Sequence, residues 1–377
     1  MTKIFMFVNV DWFFLSHRLP IAEVAKDKGV EMTVFADFTS PHENNEYKGF
    51  SFLQSPLKRK YSSLYSSFKE FLKTIKLIKR ERPSVIHAVT IKPIILLGII
   101  CFILKIPFIA SISGLGPGFS PTNFLSKTRL FIIKSIYKII FSSEQSRVIC
   151  QSSHDAGILL NNGLVTNEKI TMVEGSGVDL EEYKFQKRIT HGPIKVLMAS
   201  RLLKDKGVRE FCEAARKIQE KYNFKINFSL AGPIDYESPG YLTKEQIAEM
   251  CLSNKVEFIG NRSDLKDILA ESHIFILPSY YAEGIPKVLL EAAASGCAVI
   301  TTEHPGCRDA IIPGKTGMLI PPRDISSLIN ALVNMVSDRD LIESMGKAGR
   351  LMAEQKFCVS KVIENHYALY QTFNKDI

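Results

Sequence analysis

The 377 residues exceed what one simple core accommodates, and at about 100–200 residues per domain they divide into two or three. Hydrophobic residues make up 46% and charged residues 23%, a globular balance that excludes a mainly disordered, collagenous or mucin-like chain. The formal net charge of +9 is concentrated. Between Lys48 and Lys92 stand eleven cations (Lys48, Lys58, Arg59, Lys60, Lys69, Lys73, Lys76, Lys79, Arg80, Arg82 and Lys92) against Glu70 and Glu81 alone, a patch that attracts nucleic acid, anionic lipid or phosphorylated ligands.

The N-terminus MTKIFMFVNVDWFF lacks a basic region followed by a cleavage site and reads as a buried first strand, Lys3–Val10. The loop after it carries Asp11, Ser16, His17 and Arg18, polar groups at a strand end, with Arg18 placed to meet a phosphate. A helix over Leu19–Lys28, a strand over Val30–Ala36 and a helix over Ser62–Arg80 follow. In that last helix Phe68, Phe71, Leu72, Ile75 and Ile78 recur at helical spacing. This describes either a core-facing helix with a solvated basic back or an amphipathic surface lying on a membrane.

The strand Ser84–Thr90 ends in IHAVTIKP, which brings His87, Thr90 and Lys92 to one place. Ile94–Leu104 is the most apolar run, and its eleven residues fall short of the about 20 that span a bilayer. After the strand Pro107–Ser113, SISGLGPGF spaces Gly114, Gly116 and Gly118 so that backbone can approach a ligand closely. The spacing differs from the dinucleotide fingerprint. A helix over Phe124–Ile140 and strands over Arg147–Gln151 and Ile170–Val173 complete the first half.

The polar stretch Asp179–Pro193 marks a boundary, giving domains 1–185 and 186–358, and the remainder, 359–377, holds helical patterning over Val359–Phe373. The second half repeats the scheme with strands over Ile194–Ala199, Asn227–Ala231, Val256–Ile259, Ile274–Leu277, Ala298–Thr301 and Met318–Ile320. Helices fall at Val208–Tyr222, Leu265–Ala270, Pro286–Ser295 and Ile325–Val336. Apolar strands alternating with helices imply two parallel sheets covered on both faces, an α/β chain of two Rossmann-like domains facing a central cleft. Ligands of such sheets bind beyond the carboxyl ends of the strands.

Two segments stand there. SRLLKDKG puts Arg201 and Lys206 just after a strand, where a guanidinium and an ammonium can clamp a diphosphate. LPSYYAEGIPKVLLEAAASG puts Glu283 in a loop and Glu291 in the helix that begins near Pro286 and ends at Gly296. The two carboxylates can hold separate hydroxylated parts of one extended ligand, and the free N–H groups of the helix start between them suit an anion. A nucleotide sugar has that layout. The seven cysteines form no Cys-x-x-Cys pair and mostly sit in apolar runs, which reads as reduced core thiols in a cytosolic protein.

Together these phrases resemble glycosyltransferase family 4, the retaining group with the GT-B fold. The phrases are SRLLKDKG, AGP at Ala231, EFIGNRSDL, IFILPSYYAEGIPKVLLEAAASGCAVITT, HPGCRDAI and GKTGMLIPPRD. FLSHRLPIA, HAVTIKP and ISGLGPGF look like a bacterial branch that includes undecaprenyl-diphosphate-linked-sugar α-N-acetylgalactosaminyltransferases and O-antigen and capsule enzymes. The resemblance implies a GT-B fold whose last helix crosses back to the first domain. It implies donor contacts by Arg201, Lys206, Glu283, Gly284, Ile285, Pro286 and Glu291, and chemistry without cofactor or metal. Three departures stand out. The first loop lacks the family's Gly-Gly pair, Asp309 stands where a Glu is common, and the His expected after the strand ending in Ser113 is absent. His87 is taken as that residue's substitute in catalysis, with Gly114 and Gly116 on the donor. Ser16, His17, Arg18 and Lys92 are expected on the acceptor.

The activity expected is transfer of a hexose or N-acetylhexosamine from a UDP-sugar to a polyprenyl-diphosphate-linked sugar. It is expected at the inner face of a bacterial plasma membrane, where the basic patch meets anionic lipid. A nucleotide-sugar epimerase or a transferase with a non-lipid acceptor is the alternative. Nucleic acid is not expected as a partner, because it leaves the motifs of the second domain without a role.

Overall fold

The computed structural model describes residues 2–39, 46–47, 49–57, 64–116, 119, 123–186 and 192–373. Lys48, Lys58, Arg59, Lys60 and Gly118 lie outside the described residues. The chain forms two compact units, Met1–Ser176 with Val359–Ile377, and Gly177–Cys358.

In the first unit the strands are β1 (Lys3–Val10), β2 (Glu31–Asp37), β3 (Glu46–Tyr47), β4 (Phe50–Gln54), β5 (Val85–Val89), β6 (Phe108–Ile112), β7 (Ser146–Cys150) and β8 (Ile170–Met172). They order as β3-β4-β2-β1-β5-β6-β7-β8, and every pair is parallel except the hairpin of β3 with β4. β5 and β6 are buried along their whole length, as strands covered on both faces must be. Helices Leu64–Glu81, Ile91–Leu104 and Phe124–Ser142 share one face, joined to it by Ile78, Leu97 and Ile140. Leu19–Asp27 and the last helix, Val359–Gln371, share the other, through Ile21, Val362 and Leu369.

In the second unit β9 (Ile194–Ala199), β10 (Ile226–Ala231), β11 (Glu257–Gly260), β12 (Ile274–Leu277), β13 (Ala298–Thr302) and β14 (Gly317–Ile320) order as β11-β10-β9-β12-β13-β14, all parallel. That order reverses direction between β9 and β12, which makes their carboxyl ends the crevice of the sheet.

The division falls at Ser176/Gly177, earlier than the expected 185/186. The polar segment after Gly177 is no linker. Val178 is buried and donates its N–H to Phe357 O at 2.8 Å, and Arg350 Nη1 donates to Tyr183 O at 2.8 Å, both within the second unit. The expected loop after β1 is a helix, Asp11–His17. Buried Asp11 accepts from Trp12 N–H at 2.8 Å and from Thr39 Oγ1 at 2.6 Å, and Phe14 enters the core.

The last helix is tied to the first sheet by a buried polar network. His87 on β5 shares hydrogen bonds with Tyr370 Oη (Nδ1, 2.9 Å) and Ser111 Oγ (Nε2, 2.7 Å). His366 Nδ1 donates to Val362 O at 2.7 Å, and its ring lies 6.0 Å from that of His87. Arg18 is fully buried beside them and donates to His17 O at 3.2 Å. Burial first, then the charge of Arg18, lowers the His366 pKa to about 3; burial, His366 and Arg18 hold His87 well below its usual value. Both imidazoles therefore stay neutral in the fold, whereas in the unfolded chain they protonate near pH 6.5. Below that pH the unfolded state binds protons that the folded state refuses, so stability falls as pH drops from about 6.5 toward 3. His366→Leu should flatten this loss, and urea midpoints of the first unit's transition measured across that window check it.

Candidate active site

At the β9/β12 crevice the backbone must come very close. Gly207 has φ +81°, and a Cβ there would lie 2.3 Å from Pro278 O at the end of β12. Gly232, after β10, has φ +138°, and its Cβ would lie 1.7 Å from Ser200 O. Only glycine permits either contact. The 3-10 turn Lys204–Lys206 is thereby pressed onto the loop after β12, where Tyr280 N–H donates to Asp205 O at 2.9 Å.

Lys206 is buried, and its Nζ donates to Glu283 Oε1. Arg201 Nη1 donates to Asp235 Oδ2 and Ser238 Oγ, each at 3.1 Å. Tyr281 lies between the two cations, its ring centre 5.4 Å from the guanidinium and 5.1 Å from the ammonium. Burial works against the Arg201 charge, but Tyr281, Glu283 and Asp235 outweigh it and hold its pKa above the ordinary value. The crevice thus carries two cations largely withdrawn from solvent, each set against a carboxylate.

Behind the loop, helix Pro305–Arg308 supplies Gly306, where a Cβ would lie 2.2 Å from Gly284 O and 2.6 Å from Glu283 O. The Glu283–Gly284 backbone therefore rests directly on another backbone, with no side chain between. The helix Lys287–Ala294 starts after Pro286 with no side-chain cap, and Gly296 follows it at φ +77°. Glu291 is buried on that helix, 3.4 Å from Lys287 Nζ and hydrogen-bonded by Tyr183, whose phenol is kept protonated by burial and by this carboxylate. Glu291 forms one wall of a cavity of about 140 Å³, bounded also by Ser200, Gly232, Pro233, Arg262 and Val288. Its lining is mostly apolar.

Arg201, Lys206 and Glu283 are thus brought together, and Glu291 stands at the cavity on the far side of the helix start. Asp235, Ser238, Tyr281 and Tyr183 escaped the sequence reading. They lie in loops whose residue types carry no spacing signal, and only the order of the strands shows which loops meet.

In the first unit, Gly114 (φ +121°) and Gly116 (φ +61°) follow β6, and Leu115 N–H donates to buried Asp155 at 3.3 Å. Ser16 and His17 are half-buried and bonded to each other at 2.5 Å, with the His17 ring stacked on Phe13. Two expectations are corrected. His87 is wholly buried with both nitrogens engaged, so it meets no sugar. Arg18 is wholly buried, so it meets no phosphate. Lys92 is half-buried and stands 3.7 Å from the buried carboxylate of Glu70.

The family model for glycosyl transferases group 1 matches residues 179–352, and that for glycosyl transferase 4-like proteins matches residues 3–152. The chain belongs to the family-4 glycosyltransferases. Among its relatives is the N,N'-diacetylbacillosaminyl-diphospho-undecaprenol alpha-1,3-N-acetylgalactosaminyltransferase of Campylobacter jejuni, 27% identical over 97% of this chain and 99% of that protein. The UDP-Gal:alpha-D-GlcNAc-diphosphoundecaprenol alpha-1,3-galactosyltransferase of Escherichia coli is 29% identical over 82% of this chain and 80% of its own. The fold matches the sucrose-phosphate synthase of Thermosynechococcus elongatus with a TM-score of 0.79 at 18% identity, over 99% of each chain. This glycosyltransferase has the GT-B fold.

Gly306→Ala tests how the Glu283 loop is held. The added methyl meets fixed backbone, so the loop must shift, and a misplacement of about 1 Å at reacting groups costs roughly a hundredfold in rate. Turnover of the variant should fall by that order while its circular dichroism stays that of the wild type.

Proposed function

We propose that this glycosyltransferase moves a hexose or N-acetylhexosamine from a UDP-sugar to a polyprenyl-diphosphate-linked sugar, with retention of anomeric configuration, during assembly of a bacterial surface glycan. The observation that carries the donor half is the Arg201, Lys206 and Glu283 cluster at the ends of β9 and β12, with the Glu291 cavity lined by Ser200, the residue before Arg201. The nucleobase enters the cavity, Glu291 accepts from the ribose hydroxyls, and the diphosphate lies against Arg201, Lys206 and the uncapped start of Lys287–Ala294. Glu283 then accepts from hydroxyls of the donor sugar, alongside the backbone of Gly284, Ile285 and Pro286. Gly114 and Gly116 lend close-approaching backbone from the first unit, and Ser16 and His17 belong to the acceptor side.

The chemistry follows from where charge develops. The bond from the anomeric carbon to the diphosphate oxygen breaks, and the acceptor hydroxyl attacks from the same face. Its proton passes to the departing phosphate oxygen. Negative charge grows on that leaving group, and two cations fixed beforehand stabilise it without reorganisation. Such a clamp supplies what a divalent ion supplies elsewhere, so no metal is assigned. Glu283→Gln keeps the shape and the acceptor oxygen of the side chain but removes the negative charge opposite Lys206. The lipid acceptor and the UDP donor are supported by the functions named for the relatives above.

Among the described residues no helix is long and apolar enough to cross a membrane. A polyprenyl-linked acceptor stays in one, so the enzyme is proposed to work as a peripheral protein on the inner leaflet, held by its basic first unit.

Incubation with a panel of UDP-sugars and an undecaprenyl-diphosphate-linked sugar, with EDTA present, tests the reading. One added sugar on the lipid is expected. Free UDP without glycolipid would remove the acceptor assignment, and no turnover would remove the donor. Arg201→Ala should lower turnover by about 10²–10³, and near-normal rates would place the diphosphate elsewhere.

A further inference from the structure

The helix Phe124–Ser142 packs one stripe, Ile133, Tyr137, Ile140 and Phe141, into the first unit. Its opposite stripe should then be polar. Instead Phe124, Leu125 and Phe131 are 81%, 79% and 72% exposed, and Ile132 and Ile139 are exposed with them. The neighbouring helix Ile91–Leu104 adds exposed Phe102 and Ile103 at its end. The two helices are in close register, since a Cβ on Gly98 would lie 2.5 Å from Ile140 Cδ1.

Two further features say what this face meets. The polar groups within the stripe are already satisfied by their own helix. Thr128 Oγ1 donates to Phe124 O at 3.2 Å, Ser135 Oγ to Phe131 O at 3.0 Å, and Ser142 Oγ to Ile139 O at 2.8 Å. No hydroxyl donor needs water when the stripe leaves it. Exposed Lys127, Arg129 and Lys138 flank the stripe, and no acid occurs from Asn123 to Ser143. A second copy of this chain would bring these cations face to face, which is repulsive. Phosphate headgroups above an apolar layer match both the cations and the rings between them.

We infer that the outer face of Phe124–Ser142, continued by Phe102 and Ile103, is the part of this enzyme that enters an anionic lipid surface. This rests on the membrane reading above and assigns its contact to a helix other than the basic one at Leu64–Glu81. That helix turns Phe71, Ile75 and Ile78 to the core and carries Glu70 and Glu81. Its Lys69, Lys73 and Lys76 lie on the same side of the sheet and add attraction at a distance. At about 1.5 Å per residue the 19-residue helix is about 28 Å long, enough to lie in the headgroup plane along its whole outer stripe.

The test uses the full chain with vesicles of phosphatidylethanolamine and phosphatidylglycerol, and of phosphatidylcholine alone. The wild type should sediment with the anionic vesicles. The combined variant Leu125→Ser, Phe131→Ser, Ile132→Ser should bind them at least about tenfold more weakly, with unchanged circular dichroism and melting temperature. Phe131→Trp should show emission shifted to the blue on adding anionic vesicles. If the serine variant binds as the wild type does, or if Phe68→Ser with Leu72→Ser alone releases the protein, the assignment to this helix is overturned and the membrane reading stands. Absence of wild-type binding to any vesicle overturns both. A serine variant that only changes the oligomeric state shows the face to be a protein interface and overturns the inference.

Discussion

The ion pair between Lys206 and Glu283 joins two strand ends, and the second unit is arranged to make it. Lys206 follows β9 and Glu283 follows β12, neighbours only because the strand order reverses between them. A buried ammonium without a partner costs several kcal/mol. The loops must therefore close on each other, and they do so through glycines. Gly207 lets the Lys206 turn sit on Pro278, and Gly306 lets a second helix support Glu283 and Gly284 from behind. Neither partner can be moved without displacing backbone. That rigidity suits the proposed reaction, because charge stabilisation of a leaving diphosphate works only where the dipoles and charges stand in place beforehand.

The same constraint explains what was legible in the sequence. Each strand of the second sheet could be read from its apolar run, and the glycines and charged residues after β9, β10 and β12 could be read as a pattern. A buried parallel strand advertises itself by composition, and a close backbone contact advertises itself by glycine. Short or edge elements did not show. β3 and β4 lie at the sheet margin, Ser153–Asn161 and Lys244–Ser253 are short helices, and Asp11–His17 hides its Asp in a web of hydrogen bonds. Asp235, Ser238 and Tyr281 were invisible because their importance comes from which loops meet in space.

The first unit misled for a different reason. His87 and Arg18 are polar residues near strand ends, and such residues are ligand contacts when the strand end is open. Here the last helix returns from a residue nearly three hundred positions away and covers them, giving His87 the hydroxyl of Tyr370. The patterning of the last residues shows a helix, but not which side chains it lays over His87 and Arg18. In both cases the distant element converts a plausible binding group into an internal one.

This bears on what the net charge of +9 is for. At the proposed donor site Arg201 is matched by Asp235 and Lys206 by Glu283, so that site contributes almost nothing to the excess. The uncompensated cations stand elsewhere, on helices of the first unit whose outer faces hold few acids or none. Cations for catalysis must be held still, and a carboxylate partner holds them. Cations for a lipid surface must stay mobile and unpaired, because each internal partner would cancel the attraction of a headgroup. On the proposed reading the enzyme uses both kinds, and pairing separates the cations of the proposed donor site from those of the proposed lipid face.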